Sequence, residues 1–167
     1  YLVYRFTSIL ESIKNDKKQT IIHCHEWMAG VAIPMIRKDN LPTKIVFTTH
    51  ATLLGRYLAM NDPNFYERLQ WTDWEKEAKN FNIISQVKIE RAATHGAHVF
   101  TTVSKITGEE CKYLLHREPD ELLPNGLNVS RYEALHEFQN LHATYKKKIE
   151  EFIRGHFFPS YSFNLDK

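Results

Sequence analysis

Two short stretches hold most of the residues that could do chemistry. The first reads His23-Cys24-His25-Glu26-Trp27; the second reads Thr48-Thr49-His50, with Gly55-Arg56 a few residues on. A His-X-His at a strand end can open a metal site, since imidazole is a common metal ligand. In a strand, however, His23 and His25 share one face and Cys24 takes the other. A metal needs a third and fourth ligand, and beyond the adjacent Glu26 nothing in the chain has ligand spacing. The expectation is therefore no metal, with both imidazoles hydrogen-bonded to backbone at a sheet edge.

Glu26-Trp27 has two readings that the residues leave even. One is an acid in the first turn of a helix, where the dipole favours it. The other is a carboxylate and an indole flanking a sugar ring. For His50 and Arg56 the functional reading leads. An arginine fork suits phosphate oxygens, a neutral imidazole suits a hydroxyl, and Gly55 would let backbone approach a ligand. Ser104-Lys105 and Asn125-Gly126 end two later strands; each could be plain turn chemistry or part of the same rim.

The elements that must position these groups follow from the pattern. Residues 20–24 and 44–49 are β-branched and aromatic runs, each handing over through polar residues to a helical pattern. That is the βαβ unit of a parallel sheet covered by helices, in which ligands gather at the carboxyl ends of the strands. Ile45-Val46-Phe47 lacks alternation, as in a strand buried on both faces. Leu2, Phe6, Ile9 and Ile13 fall at helical spacing before the first strand. A helix runs from Glu26 towards Ile36, kinked or shortened by Pro34. Residues 51–80 read as irregular helices forming a flap or insertion, rich in aromatics. Helical spacing returns over 81–93, a third strand covers 99–103, and residues 107–115 form a helix with Glu109, Glu110 and Lys112 outward. A short fourth strand over 121–123 ends in Pro124-Asn125-Gly126, a turn where Gly126 or Asn125 takes positive φ. Leu135, Phe138, His142, Tyr145, Ile149 and Phe152 then mark a long helix capped by Gly155.

Composition narrows the function. The 167 residues suit one domain burying about two-thirds of its extended surface. A net charge of +2 is too small to imply a nucleic-acid partner or an anionic membrane. Two cysteines without metal or redox spacing suggest a reducing compartment. No apolar run approaches the roughly 20 residues that span a bilayer, and no signal peptide is seen, so a soluble, cytoplasmic protein is expected. The chain opens without methionine inside a helical pattern and ends on Phe-Asn-Leu-Asp-Lys, which reads as a piece of something longer. No glycine-rich phosphate loop is present, so half of a nucleotide site is expected elsewhere.

Several longer stretches then resemble one family. They are His25-Glu26-Trp27-Met28-Ala29-Gly30, Thr48-Thr49-His50-Ala51-Thr52-Leu53-Leu54-Gly55-Arg56-Tyr57, Phe100-Thr101-Thr102-Val103-Ser104 and Pro124-Asn125-Gly126-Leu127-Asn128-Val129. His136-Glu137-Phe138-Gln139-Asn140-Leu141-His142-Ala143 and Phe152-Ile153-Arg154-Gly155-His156-Phe157 continue the match. Together they resemble glycogen synthases of the animal and fungal type, glycosyltransferase family 3, from Ile21 onward, thinning between Leu58 and Ser85. The bacterial and plant class carries Asp where Glu26 stands and lacks the Ala-Thr-Leu-Leu-Gly-Arg run.

The resemblance implies an α/β fold: a partial Rossmann-like parallel sheet with flanking helices, the N-terminal half of a GT-B glycosyltransferase. Residues 1–129 would be the partial domain, with an irregular insertion at about 57–82. Residues 130–167 would be a long helix and connector towards a second domain. It further implies a retaining transfer of glucose from a nucleotide sugar, UDP-glucose or ADP-glucose, to the 4-hydroxyl of an α-1,4-glucan, without metal or cofactor. His50 and Glu26 would be catalytic and Arg56 would bind the donor phosphates. His25, Trp27, Ser104, Asn125 and Gly126 would line the cleft. The full-length protein is expected to be a homo-oligomer and this fragment alone inactive. The rival readings are a metal-dependent hydrolase using the His-X-His pair and a non-catalytic interaction or oligomerisation domain.

Overall fold

The computed structural model describes residues 1–15, 18–127 and 135–157. The chain divides at Asn125/Gly126 into two compact units. The first begins with helix α1 (Leu2–Ile13), then β1 (Ile21–His25), α2 (Glu26–Gly30), α3 (Ala32–Lys38) and β2 (Lys44–Thr49). It continues through α4 (Leu53–Asn61), α5 (Phe65–Arg68), a 3₁₀ turn (Leu69–Trp71), α6 (Trp74–Asn80), α7 (Ile84–Gly96) and β3 (Val99–Thr102). Helix α8 (Lys105–Glu110), a π-helical turn (Cys111–Leu115) and β4 (Glu121–Leu122) complete it. The second unit holds helix α9 (Leu135–Phe157).

The sheet is parallel throughout, in the order β1-β2-β3-β4. This is the expected α/β architecture of Rossmann-like kind. Cys24, Ile45, Phe47 and Phe100 project from one face into a core with Ala32, Ile33, Ile36, Ala93, Ala97, Cys111 and Leu115 from the helices. Phe47 and Phe100 stack across β2 and β3 with ring centroids 5.9 Å apart. The other face carries Ile21, His23, His25, Val46 and Val99, all exposed or half-exposed. Burial of β2 on both faces is therefore incomplete: Val46 is only half covered while Ile45 and Phe47 are fully buried.

Several local expectations are corrected. The single helix after β1 is two helices that part at Val31. Pro34 sits in the first turn of α3, where its missing N–H is tolerated, and the chain breaks ahead of it. Residues 51–80 are helical, as expected, in short elements that pack around a core of Leu54, Leu58, Phe65, Leu69, Ala78, Ile83, Val87 and Leu114. Asp73 caps α6 by accepting from Glu75 and Lys76 amides. Asn82, at φ 57°, separates α6 from α7, which starts later than the periodicity suggests. Glu110 is buried, not outward, because Thr52 and Tyr66 supply partners for its carboxylate. Neither Asn125 nor Gly126 has positive φ, and α9 runs past Gly155 to Phe157. The apolar stripe of α1 (Leu2, Phe6, Ile9, Ile13) is exposed. Asn128, Val129 and the proposed connector after Phe157 lie outside the described residues. Among the described residues no helix is long and apolar enough to cross a membrane.

Candidate functional site

Strands β1 and β2 lie side by side, with His25 in register with Thr48, so their carboxyl ends meet. The chain leaves β1 through Glu26, whose φ of 64° is left-handed. For a residue with a side chain this costs about 1–2 kcal/mol. The sharp turn starts α2 and brings the carboxylate across to the β2 loop. There Glu26 Oε1 accepts from the His50 backbone N–H at 2.9 Å, and the Arg56 guanidinium stands 3.6 Å from the same oxygen. Arg56 is exposed and Glu26 partly so.

The histidines form a row. His25 Nδ1 lies 3.2 Å from His50 Nε2, and the rings of His23 and His25 are 4.1 Å apart. His23 Nε2 hydrogen-bonds Thr48 Oγ1 at 2.7 Å, and Thr48 in turn meets Thr101 Oγ1 at 2.5 Å. Burial, and then the neighbouring His25, pull the His23 pKa below its ordinary value. The imidazoles thus bond to side chains, not to backbone as the sequence suggested. Among the described residues no group of three or more His, Cys, Asp or Glu is placed to hold a metal, so the hydrolase reading has no ligand set there.

The segment from Thr49 at the end of β2 to Gly55 in the first turn of α4 carries His50 and leads to Arg56, and two buried carboxylates hold it from beneath. Glu90 of α7, fully buried, accepts from the Leu53 amide at 3.0 Å and from Thr49 Oγ1 at 3.3 Å. Glu110 of α8 accepts from Thr52 Oγ1 at 2.7 Å, from the Thr52 amide at 3.3 Å and from the Tyr66 hydroxyl at 2.9 Å. Thr52 Oγ1 also accepts from the Gly55 amide, capping α4. Gly55 therefore serves a different close approach from the one expected. A Cβ there would collide with Thr52 Oγ1 and Glu110 Oε2, so the glycine admits a carboxylate of the chain itself. Burial pushes the Glu90 pKa up to about 7, aided by the nearby carboxylates Glu26 and Glu110 and opposed by the bonds from Leu53 and Thr49.

Sequence reasoning missed Glu90 and Glu110, yet a signal existed. Val87, Glu90 and Thr94 lie on one helical face, as do Thr107, Glu110 and Leu114. An acid inside an apolar stripe is a buried carboxylate in need of donors. The remaining candidates take no part in these hydrogen bonds. Trp27 is half-buried in α2. Ser104 caps α8 by accepting from the Thr107 amide at 3.1 Å, the plain turn chemistry allowed for it. Asn125 is exposed after β4, and Gly126 belongs to the second unit. A concavity of about 500 Å³ lined by Leu58, Phe65, Arg68, Trp71, Lys76 and Phe81 includes none of the rim groups.

A parallel sheet with helices packed on it and imidazole, guanidinium and carboxylate at its carboxyl edge is a Rossmann-like α/β domain, a class in which ligands gather at that edge. Comparison with known proteins names the family. The glycogen synthase family model matches residues 1–167. The chain is 51% identical over 164 residues to a glycogen [starch] synthase of Neurospora crassa, covering 98% of this chain and 23% of that protein. Against isoform 1 of the Saccharomyces cerevisiae enzyme it is 54% identical over 158 residues, 93% of this chain and 22% of the relative. Against the liver form of Mus musculus it is 51% identical over 152 residues, 91% and 22% respectively. The chain belongs to the glycogen synthase family, and it spans between a fifth and a quarter of the length of these relatives.

Proposed function

We propose that this chain is part of a retaining glucosyltransferase, a glycogen synthase, that moves glucose from UDP-glucose to the 4-hydroxyl end of an α-1,4-glucan. It contributes one wall of the cleft in the N-terminal half of a GT-B enzyme, and residues 130–167 lead towards the second domain. Family membership supports the reaction class. The observation that carries the site is the meeting of His50, Arg56 and Glu26 at one rim, with Glu26 Oε1 touching both other residues.

In this reading Arg56 faces the diphosphate of the donor, where a guanidinium meets the charge that develops as the leaving group departs. The His50 ring, its backbone pinned by Glu26 and its Nε2 bonded to His25, contacts the donor glucose. Glu26 lies on the sugar or acceptor side and orients the other two. Trp27 and Ser104 border the cleft more distantly, with Asn125 and Gly126 at the domain junction. The reaction needs no metal or cofactor beyond the sugar nucleotide. Assembly of the full-length protein into a homo-oligomer is part of the proposal. It draws on the exposed stripe of Leu141, Tyr145, Ile149 and Phe152 along α9.

The test uses the full-length protein. His50→Ala and Arg56→Ala are each expected to lower glucosyl transfer to glycogen by about 10²-fold or more, with circular dichroism unchanged. Wild-type kinetics for either variant would remove that residue from the site. ADP-glucose offered beside UDP-glucose tests the donor base.

A further inference from the structure

The hydrogen bonds beneath the rim point beyond the residues that face substrate. Thr49, Thr52 and Leu53 are tied by carboxylates that come from two other helices, Glu90 on α7 and Glu110 on α8. Both acids are buried, and among the described residues neither is paired with a cation: their partners are hydroxyls and backbone amides. A buried carboxylate held this way is costly to the fold, since apolar residues could fill the same places. What it gives in return is a fixed position for a loop. The Thr52 carbonyl accepts from the Arg56 amide at 3.1 Å, so the tie at Thr52 extends directly to the residue that bears the guanidinium. His50 stands between the Thr49 and Thr52 ties and is pinned from the far side by Glu26.

We infer that Glu90 and Glu110 are positioning residues: by accepting from the backbone and hydroxyls of residues 49–53, they set where His50 and Arg56 stand. Neither touches substrate. The inference rests on the proposed reading of the rim as a sugar-transfer site, but the tie itself can be measured without substrate.

Four variants of the full-length protein separate the possibilities. Glu90→Asp and Glu110→Asp keep the charge but withdraw the oxygens by one methylene, whereas Glu90→Gln and Glu110→Gln keep the reach and an accepting oxygen. The Asp variants are expected to speed hydrogen exchange at the Thr52 and Leu53 amides about tenfold or more. They are also expected to lower kcat about tenfold or more, because small displacements of positioned groups weigh heavily on rate. The Gln variants should restore both to within a few-fold. Wild-type exchange at these amides in the Asp variants would overturn the inference. So would greater damage from Gln than from Asp, because charge and not the accepted bond would then matter. If the wild-type protein transfers no glucose, the reading of the reaction falls, while the exchange measurement still decides the role of the two acids.

Discussion

Glu26 accepts a left-handed backbone at φ 64° because only that turn carries its carboxylate to the His50 amide. Glycine adopts the same conformation freely. Glu26→Gly in the full-length protein therefore relieves about 1 kcal/mol of strain and forfeits a hydrogen bond of about the same worth. The thermal midpoint should stay near the wild-type value in calorimetry, while glucosyl transfer falls about tenfold or more as His50 and Arg56 lose their common partner. Glu90 makes a second prediction. Its carboxyl titrates at about 7 when folded against an ordinary 4.5, so the folded state holds the proton more tightly than the unfolded. Its contribution to stability is fully present below about pH 4.5 and is lost as the pH rises through 7. A difference of this size amounts to on the order of 3 kcal/mol. Glu90→Gln, which cannot ionise, is expected to gain in melting temperature over wild type from pH 5 to pH 8, and a pH-independent difference would contradict this.

Elements were legible where chemistry and period agree. Ile45-Val46-Phe47 followed by Thr48-Thr49-His50 announces a strand and the edge where it ends, and β2 spans the residues expected. His23 and His25 share a face opposite a buried Cys24, as alternation requires. Helices α4, α5 and α6 were legible only as irregular helices without bounds, for a physical reason: at four to nine residues each is too short to show a 3.6-residue period above its aromatic and charged neighbours. Of the candidate site, the rim could be read from side-chain type, but its support could not, because donors for Glu90 and Glu110 come from distant positions in the chain. Packing between elements is testable at Gly30. A Cβ there would lie 2.7 Å from that of Ala93 and 3.1 Å from the Phe47 ring, so α2 and α7 cross at a glycine. Gly30→Ala is expected to cost about 1–3 kcal/mol despite its better helix propensity, lowering the urea midpoint of the full-length protein. Adding Ala93→Gly should recover most of the loss.

Among the described residues of the first unit, the two faces of the sheet are covered unequally. The helices cover the face of Cys24, Ile45 and Phe47, while Ile21, His23 and Val99 look outward. With the chain spanning less than a quarter of its relatives, the isolated 167 residues are expected to transfer no glucose from UDP-glucose to glycogen under conditions where the full-length protein does. Detectable transfer by the isolated chain in a radiolabel assay would refute this. The start of α4 has a last consequence for how such an enzyme would capture its donor. Helix beginnings usually attract phosphate through bare amides, but here Thr52 and Leu53 already point theirs at internal acids. If Arg56 faces the donor as proposed, an incoming diphosphate meets internal acids beneath this wall and the guanidinium above it, so its grip here is expected to weaken as ionic strength rises.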